Sequence, residues 1–285
     1  MLATVIDVVV PVYLCVAGGY LWARIERPIN LSFVSAFVYV VGAPPLVYAA
    51  IKRVPDGSVP LGPLIEATVL ALVLGGLAAV LVSLVAGRHL GTSGRGLALP
   101  FAGAMGLAVL RNGFGDPGLA QGVVYFAVAT IAAATLGRAA AQGRWSASSL
   151  FGSPIGWALA AALVLAALPG APPKFVLNTT NLLGGLVVPV MLIAAGVALG
   201  RIGGSALLRA LAFGIARIAV GFAVGVVVAD VLGLEHLSRA AVILETATPV
   251  AFLWPSYTKD GWAEFGASLA VGLVALPLLV LYVMP

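Results

Sequence analysis

Long apolar runs recur along the whole chain and constrain its fold more than any other feature. Residues 67–87 and 175–200 contain no charged side chain, and only 9% of the 285 residues are charged, against about 25% in soluble proteins. A run of about 20 residues is long enough for a helix to cross the roughly 30 Å hydrocarbon core of a bilayer. No stretch alternates polar and apolar residues as a membrane barrel requires. The sequence therefore predicts an all-α integral membrane protein.

Clusters of charge, proline and glycine divide these runs into ten predicted transmembrane helices. They are numbered 1 to 10 and cover residues 1–22, 29–51, 62–86, 96–115, 118–139, 153–169, 175–200, 205–232, 238–257 and 262–284. The connections between them are short, so the chain forms one transmembrane domain without a separate soluble part.

The distribution of Lys and Arg predicts the orientation, because loops that face the cytoplasm carry an excess of both. With the N-terminus outside, nine cations fall in inner loops: Arg24, Arg27, Arg88, Arg95, Arg138, Arg144, Arg201, Arg209 and Lys259. Four fall in outer loops: Lys52, Arg53, Lys174 and Arg239. We therefore expect a multi-pass protein of the cytoplasmic membrane with both termini outside. The formal charge of +5 records this orientation and implies no nucleic-acid partner.

A weak internal repeat relates the two halves of the chain. Helix 1 contains Pro11 and helix 6 opens with Pro154, helix 2 contains Pro44 and Pro45, and helix 7 contains Pro189. Because five is an odd number of spans, the second unit, residues 141–285, must be inverted relative to the first, residues 1–140, as in many secondary transporters. The alternative is that these prolines only reflect the high frequency of proline in membrane helices.

Two polar interruptions, in helices 4 and 9, are the predicted functional site. Broken helices survive in a bilayer only where protein or a water-filled cavity satisfies the freed backbone groups, and their ends suit charged ligands. The candidate substrate-binding residues are Arg111, Asn112, Gly113, Gly115, Pro117, Thr246, Thr248 and Pro249. The candidate coupling residues are Glu245, preferred, and Asp116, because burial disfavours a charged carboxyl.

Several motifs occur in an order that resembles the auxin efflux carrier family in its short prokaryotic form. They are residues 11–24, 112–117, 152–155, 189–200, 247–251 and 257–260. The chain differs from the family pattern at Arg111 and Asp116 and in lacking a proline within helix 8.

The resemblance implies ten helices in two inverted repeats of five, a scaffold part and a transport part, and helices 4 and 9 that cross at their prolines near the substrate. It also implies alternating-access transport of a small organic anion or carboxylate, and a possible homodimer. The fold is similar to that of the bile acid/sodium symporters, so a sodium-coupled symporter is the nearest alternative. A non-transporting membrane sensor or subunit is another.

Individual residues in the interruptions fit more than one role. The amide of Asn112 suits either a substrate carboxylate or backbone groups freed by the break. Arg111 suits either an anion clamp or an ion pair with Asp116 or another buried acid. For Arg217, deep in helix 8, we expect a structural ion pair, because intramembrane charges are usually partnered.

Enzymatic and metal-dependent functions find no support in the sequence. It contains no phosphate-binding loop, no nucleophile elbow and no His-Glu-x-x-His motif. The single cysteine, Cys15, excludes an intramolecular disulfide and supplies too few ligands for a zinc site. We expect no cofactor, and either Na⁺ or H⁺ as the coupling ion.

Overall fold

The computed structural model describes residues 2–25, 29–85, 103–137, 152–250 and 261–284, and these residues form helices, turns and loops without strands. In chain order the helices are α1 (Leu2–Arg24), α2 (Leu31–Phe37), α3 (Ala43–Lys52), α4 (Leu61–Val85), α5 (Ala104–Ala132), α6 (Pro154–Ala167), α7 (Lys174–Gly185), α8 (Val187–Arg201), α9 (Gly204–Val231), α10 (His236–Thr246) and α11 (Gly261–Val283). Short π-helical segments, Val38–Gly42 and Ala133–Gly137, follow α2 and α5. The prediction of an all-α fold is confirmed for these residues.

Seven helical stretches within the described ranges are long and apolar enough to cross a membrane. They are Ala3–Arg24, Leu31–Lys52, Leu61–Val82, Ala104–Leu136, Lys174–Arg201, Gly204–Val231 and Gly261–Val283. Large apolar side chains lie on the outer surface, among them Phe175 and Val274, which are 72% and 80% exposed. A bilayer would cover such a surface, whereas soluble proteins rarely expose so large an apolar area to water. The chain is therefore a multi-pass membrane protein.

The difference between seven stretches and ten predicted helices has three sources. The described parts of predicted helices 4 and 5 together form α5 and the short π-helical segment after it, and predicted helix 6 is only the 14-residue α6. Predicted helix 9 is described through α10 and up to residue 250, and its remainder lies outside the described residues. Other predicted features also lie outside the described residues: motif residues 257–260 and the inner-loop cations Arg27, Arg88, Arg95, Arg138, Arg144 and Lys259. The number ten and the orientation remain predictions.

Helix α5 is a tight helical hairpin that reverses at Gly115. Gly115 has φ 66° and ψ −150°, a conformation that glycine adopts and other residues resist. A Cβ atom on Gly122 would lie 2.5 Å from Leu110 Cδ1 and 3.0 Å from Leu107 Cδ2, although 12 residues of straight helix span about 18 Å. The two arms, residues 104–114 and 116–132, therefore run antiparallel and in contact.

The turn of this hairpin lies at one face of the helical bundle. A Cβ atom on Gly113 would lie 3.0 Å from Met284 Sδ, just after α11, and 3.6 Å from Val8 Cγ2, near the start of α1. Asp116 contacts Arg53, the residue that follows α3. The start of α1, the end of α3, the end of α11 and the hairpin turn therefore share one end of the bundle.

The predicted crossing of two broken helices at their prolines is not confirmed by the described residues. Pro249 lies beside Gly272, in the middle of α11, whereas Gly113 lies beside Met284, at its end. Those two positions on α11 are 12 residues apart, or about 18 Å of helix. The polar stretch around Pro117 is a hairpin turn near the membrane face, and the stretch around Pro249 lies deeper.

A clasp between two loops closes the bundle near the end of α3. Lys52 Nζ donates to the carbonyl oxygens of Leu168 and Gly170, at 2.5 and 3.2 Å, and pairs with Asp56 at 3.5 Å. The backbone N–H of Gly170 donates to Asp56 Oδ2 at 3.1 Å. Gly170 has φ 111°, which suits glycine because it has no Cβ. The clasp joins the α3–α4 loop to the α6–α7 loop.

We expect this clasp to weaken in acid. The Gly170 amide and then the Lys52 ammonium hold the pKa of the Asp56 carboxyl below its usual range. Its folded pKa is thus below its unfolded value of about 4, so its stabilising effect is complete above that pH and is lost as the pH falls through the folded pKa. Thermal unfolding of Asp56→Asn should start slightly below that of the wild type at pH 7, and the difference should vanish in acid. Glu66→Gln, which alters an exposed carboxyl, should show no such convergence.

Candidate functional site

A cavity of about 310 Å³ lies between α1, α3, the α5 hairpin, α7 and α8. Its volume is at the lower end of the range for small-molecule sites, about 300–1,000 Å³. Most of its wall is apolar, with polar side chains on three of the elements. The lining residues are Pro11, Val12, Cys15, Leu46, Ala49, Ala50, Arg53, Ala108, Arg111, Asn112, Leu119, Thr180, Asn181, Gly184, Gly185, Val188, Pro189 and Leu192.

Two arginines give the cavity its charge. Arg53 and Arg111 contact the same oxygen of Asp116, Oδ1, at 3.5 and 3.3 Å. Neither contact has hydrogen-bond geometry, and this oxygen has no hydrogen-bond partner among the described residues. Because a guanidinium can donate two parallel hydrogen bonds to a carboxylate, both arginines retain unused donors. The cluster carries a net charge of +1 at neutral pH.

Two amides complete the polar part of the cavity. Asn112 Nδ2 donates to the carbonyl oxygen of Val8 in α1 at 3.2 Å, which ties the first hairpin arm to α1. Asn181 Oδ1 is buried without a hydrogen-bond partner in the described part of the chain. The hydroxyl of Thr180 is satisfied within α7 by the carbonyl oxygens of Val176 and Leu177. The amide oxygen of Asn181 is therefore an unused acceptor that faces the cavity and can receive a hydrogen bond from a guest molecule.

The second polar stretch is buried elsewhere, where α10 ends against the hairpin. Glu245, Thr246 and Thr248 are at most 2% exposed. Thr246 Oγ1 donates within α10 to Val242 and Ile243, and Thr248 Oγ1 donates to the Glu245 carbonyl oxygen. The two hydroxyls therefore satisfy local backbone groups, as Thr side chains commonly do in helices.

Arg217 caps the end of α10. The side chain is 1% exposed, and Nη2 donates to the carbonyl oxygen of Thr246, the last residue of α10, at 3.3 Å. A helix C-terminus carries partial negative charge and leaves carbonyl oxygens without partners, so a cation there is favourable. The predicted ion pair is wrong for the described residues, since no carboxylate among them lies within salt-bridge distance of Arg217.

A second space, of only about 30 Å³, adjoins the deeper stretch. It is lined by Gly103, Pro249, Leu192 and residues of α11, among others. Its volume is about a tenth of that of the first cavity, far below the range for small-molecule sites. Leu192, which is 4% exposed, lines both this space and the large cavity. The side chain of Leu192 therefore borders both the cavity and this much smaller space.

The structure divides the predicted site residues into two groups. Arg111 and Asn112 line the cavity, and Asp116 pairs with its arginines. Gly113, Gly115 and Pro117 form the hairpin turn beside them. Glu245, Thr246, Thr248 and Pro249 belong to the deeper, separate group.

Arg53 is the cavity residue that sequence reasoning missed. It was assigned to an outer loop because it follows Lys52 at the end of an apolar run. Nothing in the sequence distinguishes it from the other outer-loop cations, because only the position of the hairpin turn brings Arg53 into the cavity wall.

No protein-family model matches this chain, and no curated protein matches it either.

Proposed function

We propose that this protein is a secondary transporter that carries a small organic anion, a carboxylate, across the cytoplasmic membrane by alternating access. The observation that carries this proposal is the cavity of about 310 Å³ in which Arg53 and Arg111 keep unused donors beside an apolar wall. A carboxylate group would bind the two guanidinium groups, and its organic part would lie against Val12, Leu46 and their neighbours.

The contrast between the two spaces supports alternating access. The large cavity lies near the hairpin turn, at one end of the bundle, and the small space lies deeper, beside Pro249. A carrier that admits substrate from one face must be closed toward the other. Transport would require the layer around Leu192 to open after the cavity closes.

Helix packing supports two inverted repeats of five helices, residues 1–140 and 141–285. In such a repeat helix 1 corresponds to helix 6, and helix 2 to helix 7. Helix α1, which is predicted helix 1, packs on α8 in predicted helix 7, and α6, which is predicted helix 6, packs on α3 in predicted helix 2. The inversion exchanges helix 1 with helix 6 and helix 7 with helix 2, so it converts the first of these two contacts into the second. The proposed arrangement has ten transmembrane helices, both termini outside and a similarity to the auxin efflux carriers, and it permits a homodimer.

The first experiment is a binding screen. Purified protein is heated with succinate, benzoate or indole-3-acetate, each with Na⁺ and with K⁺, and the unfolding temperature is recorded. A ligand at a hundred times its dissociation constant should add about 2.7 kcal/mol of stability. Uptake of the binding anion into proteoliposomes then separates a carrier from a sensor. Tight binding without uptake would contradict the proposal, as would the failure of every carboxylate to bind.

Cys15 offers an independent probe, because this single cysteine lines the cavity. An anionic methanethiosulfonate reagent should modify it faster than a cationic reagent of similar size, since the two arginines attract anions. A bound carboxylate should slow the modification. Equal rates for the two reagents would show that the cavity lacks the proposed positive potential, and Cys15→Ser supplies the blank.

We expect Asp116→Asn to strengthen carboxylate binding. The Asp116 carboxylate occupies the position between the arginines that a substrate carboxylate needs, and its own contacts there are loose. Partly exposed ion pairs contribute about 0.2–1 kcal/mol, so removal of this competitor should lower the dissociation constant by about 1.4- to fivefold. Isothermal titration with the anion from the screen measures the change. A weaker affinity would show instead that Asp116 positions the arginines for the substrate.

A further inference from the structure

We propose that Glu245 is a proton-binding site and that anion transport is coupled to the proton that this carboxyl carries. The inference rests on the proposed function. Glu245 is 0% exposed, and neither carboxyl oxygen has a hydrogen-bond partner among the described residues. The Gly103 amide faces the carboxyl without reaching hydrogen-bond geometry. An ionised carboxylate without partners at this depth would be very costly, so the buried group is the neutral acid.

Glycines in both arms of the α5 hairpin make room for this carboxyl. A Cβ atom on Gly106 would lie 2.6 Å from Glu245 Oε1, and one on Gly122 would lie 3.5 Å from the same atom. The nearby side chains of Leu107 and Leu110 are apolar and buried. The hairpin thus forms a close-fitting, mostly apolar pocket around a neutral carboxyl, which we call the glycine seat. Separation of α10 from the hairpin would take the carboxyl out of this seat.

The groups that face Glu245 are few. From α5, Tyr125 is fully buried within electrostatic reach of both Glu245 and Arg217. From α9, Arg217 binds the Thr246 carbonyl oxygen and forms no ion pair with Glu245. Helix α11 contributes the buried Glu264 in its first turn, and the single acid of α4, Glu66, is exposed. No described carboxylate or cation neutralises Glu245 directly.

Arg217 also makes a sodium site at this position unfavourable. In broken-helix carriers, carbonyl oxygens at half-helix C-termini coordinate the cation. Here the guanidinium of Arg217 already occupies the end of α10, so a second cation would be repelled. A proton needs only the one carboxyl that is present.

The α5 hairpin links this carboxyl to the substrate cavity. Ala108, Arg111 and Leu119 line the cavity, and Gly106 and Gly122 in the same two arms hold Glu245. When the hairpin separates from α10, water from one face of the membrane reaches the seat, the O–H bond of the carboxylic acid breaks, and the proton passes to that water. Return of the packed state requires a proton from water at the opposite face to re-form that bond. Each cycle of the hairpin therefore moves a proton together with the anion.

Infrared spectroscopy of the protein in liposomes tests the protonation directly. At neutral pH the wild type should show a carboxylic acid C=O band that Glu245→Gln lacks and that Glu66→Gln retains. Because this band requires no substrate, it decides the state of Glu245 whatever the transported anion is. Identical spectra for the wild type and Glu245→Gln in this region would overturn the inference.

Proton movement with substrate tests the coupling. Proteoliposomes that enclose a pH-sensitive dye are exposed to whichever of succinate, benzoate and indole-3-acetate binds, with protein-free liposomes as the blank for passive entry of the acid. The wild type and Glu66→Gln should acidify the lumen as the anion enters, and Glu245→Gln should not. Anion uptake that moves no protons, or that requires Na⁺, would overturn the coupling and leave the carrier proposal intact. The absence of both binding and uptake would instead defeat the carrier proposal, and the infrared band would still decide the protonation of Glu245.

Discussion

Gly19→Ala should unfold at a temperature several degrees below the wild type. A Cβ atom on Gly19 in α1 would overlap the carbonyl oxygen of Ile193 in α8, and one on Gly196 would overlap the carbonyl oxygen of Val16. The two helices thus cross with a glycine on each side, the close approach that small residues permit in membranes. The obstacle in each case is backbone, which cannot rotate away as a side chain can. Such overpacking costs about 1–3 kcal/mol or more, a shift of about 2–10 °C for a protein of this size.

Gly18→Ala is the matched control for this prediction. Gly18 is the preceding residue of the same helix, and a Cβ atom there would meet no heavy atom within 4 Å. Alanine is also the better helix former, by about 1 kcal/mol in a helix interior. The unfolding temperature of Gly18→Ala in detergent should therefore equal or exceed that of the wild type. Equal losses for the two variants would contradict the close crossing of α1 and α8.

Arg111→Ala should weaken carboxylate binding by about one to two orders of magnitude. Hydrogen bonds to charged groups contribute about 1.5–3 kcal/mol, and each 1.4 kcal/mol corresponds to a factor of ten in affinity. Loss of Arg111 would also leave Asp116 paired with Arg53 alone, which removes the positive charge that attracts an anion. Titration calorimetry with the anion from the binding screen measures the effect.

Two further variants make this result specific. Arg111→Lys keeps the charge but loses the planar fork that binds both carboxylate oxygens, so its affinity should fall between those of the wild type and Arg111→Ala. Arg209→Ala removes an exposed cation on α9 that does not line the cavity and should bind as the wild type does. A comparable loss in Arg209→Ala would indicate a general effect of net charge, and no loss in Arg111→Ala would place the substrate elsewhere.

Local features of the sequence predicted much of the fold. Hydropathy alone identified the apolar spans, because a helix of about 20 apolar residues has the length needed to cross the bilayer. The composition of residues 110–117 correctly located a backbone break, which the structure places at Gly115. Gly196 and Gly200 have the four-residue spacing of small residues that favours close packing of membrane helices, and both glycines lie against α1.

The depth of each break could not be read in the same way. A helical hairpin near a membrane face and a broken helix at the midplane have the same local composition of glycine, proline and polar residues. The two differ in what lies beside the turn, which here is Met284, Val8 and Arg53. For this reason the predicted crossing of Pro117 and Pro249 is not confirmed, although both interruptions were recognised.

The sequence by itself determined that this chain is helical, crosses a membrane several times and carries two polar interruptions, since each of these depends on residues close together along the chain. The tertiary structure alone decided which distant groups meet: Arg53 with Asp116, Arg217 with the Thr246 carbonyl, and Glu245 with its glycine seat. The physical reason is that such contacts depend on the rotation and depth of each helix. Those quantities are set by packing against other helices, and neither hydropathy nor periodicity encodes them.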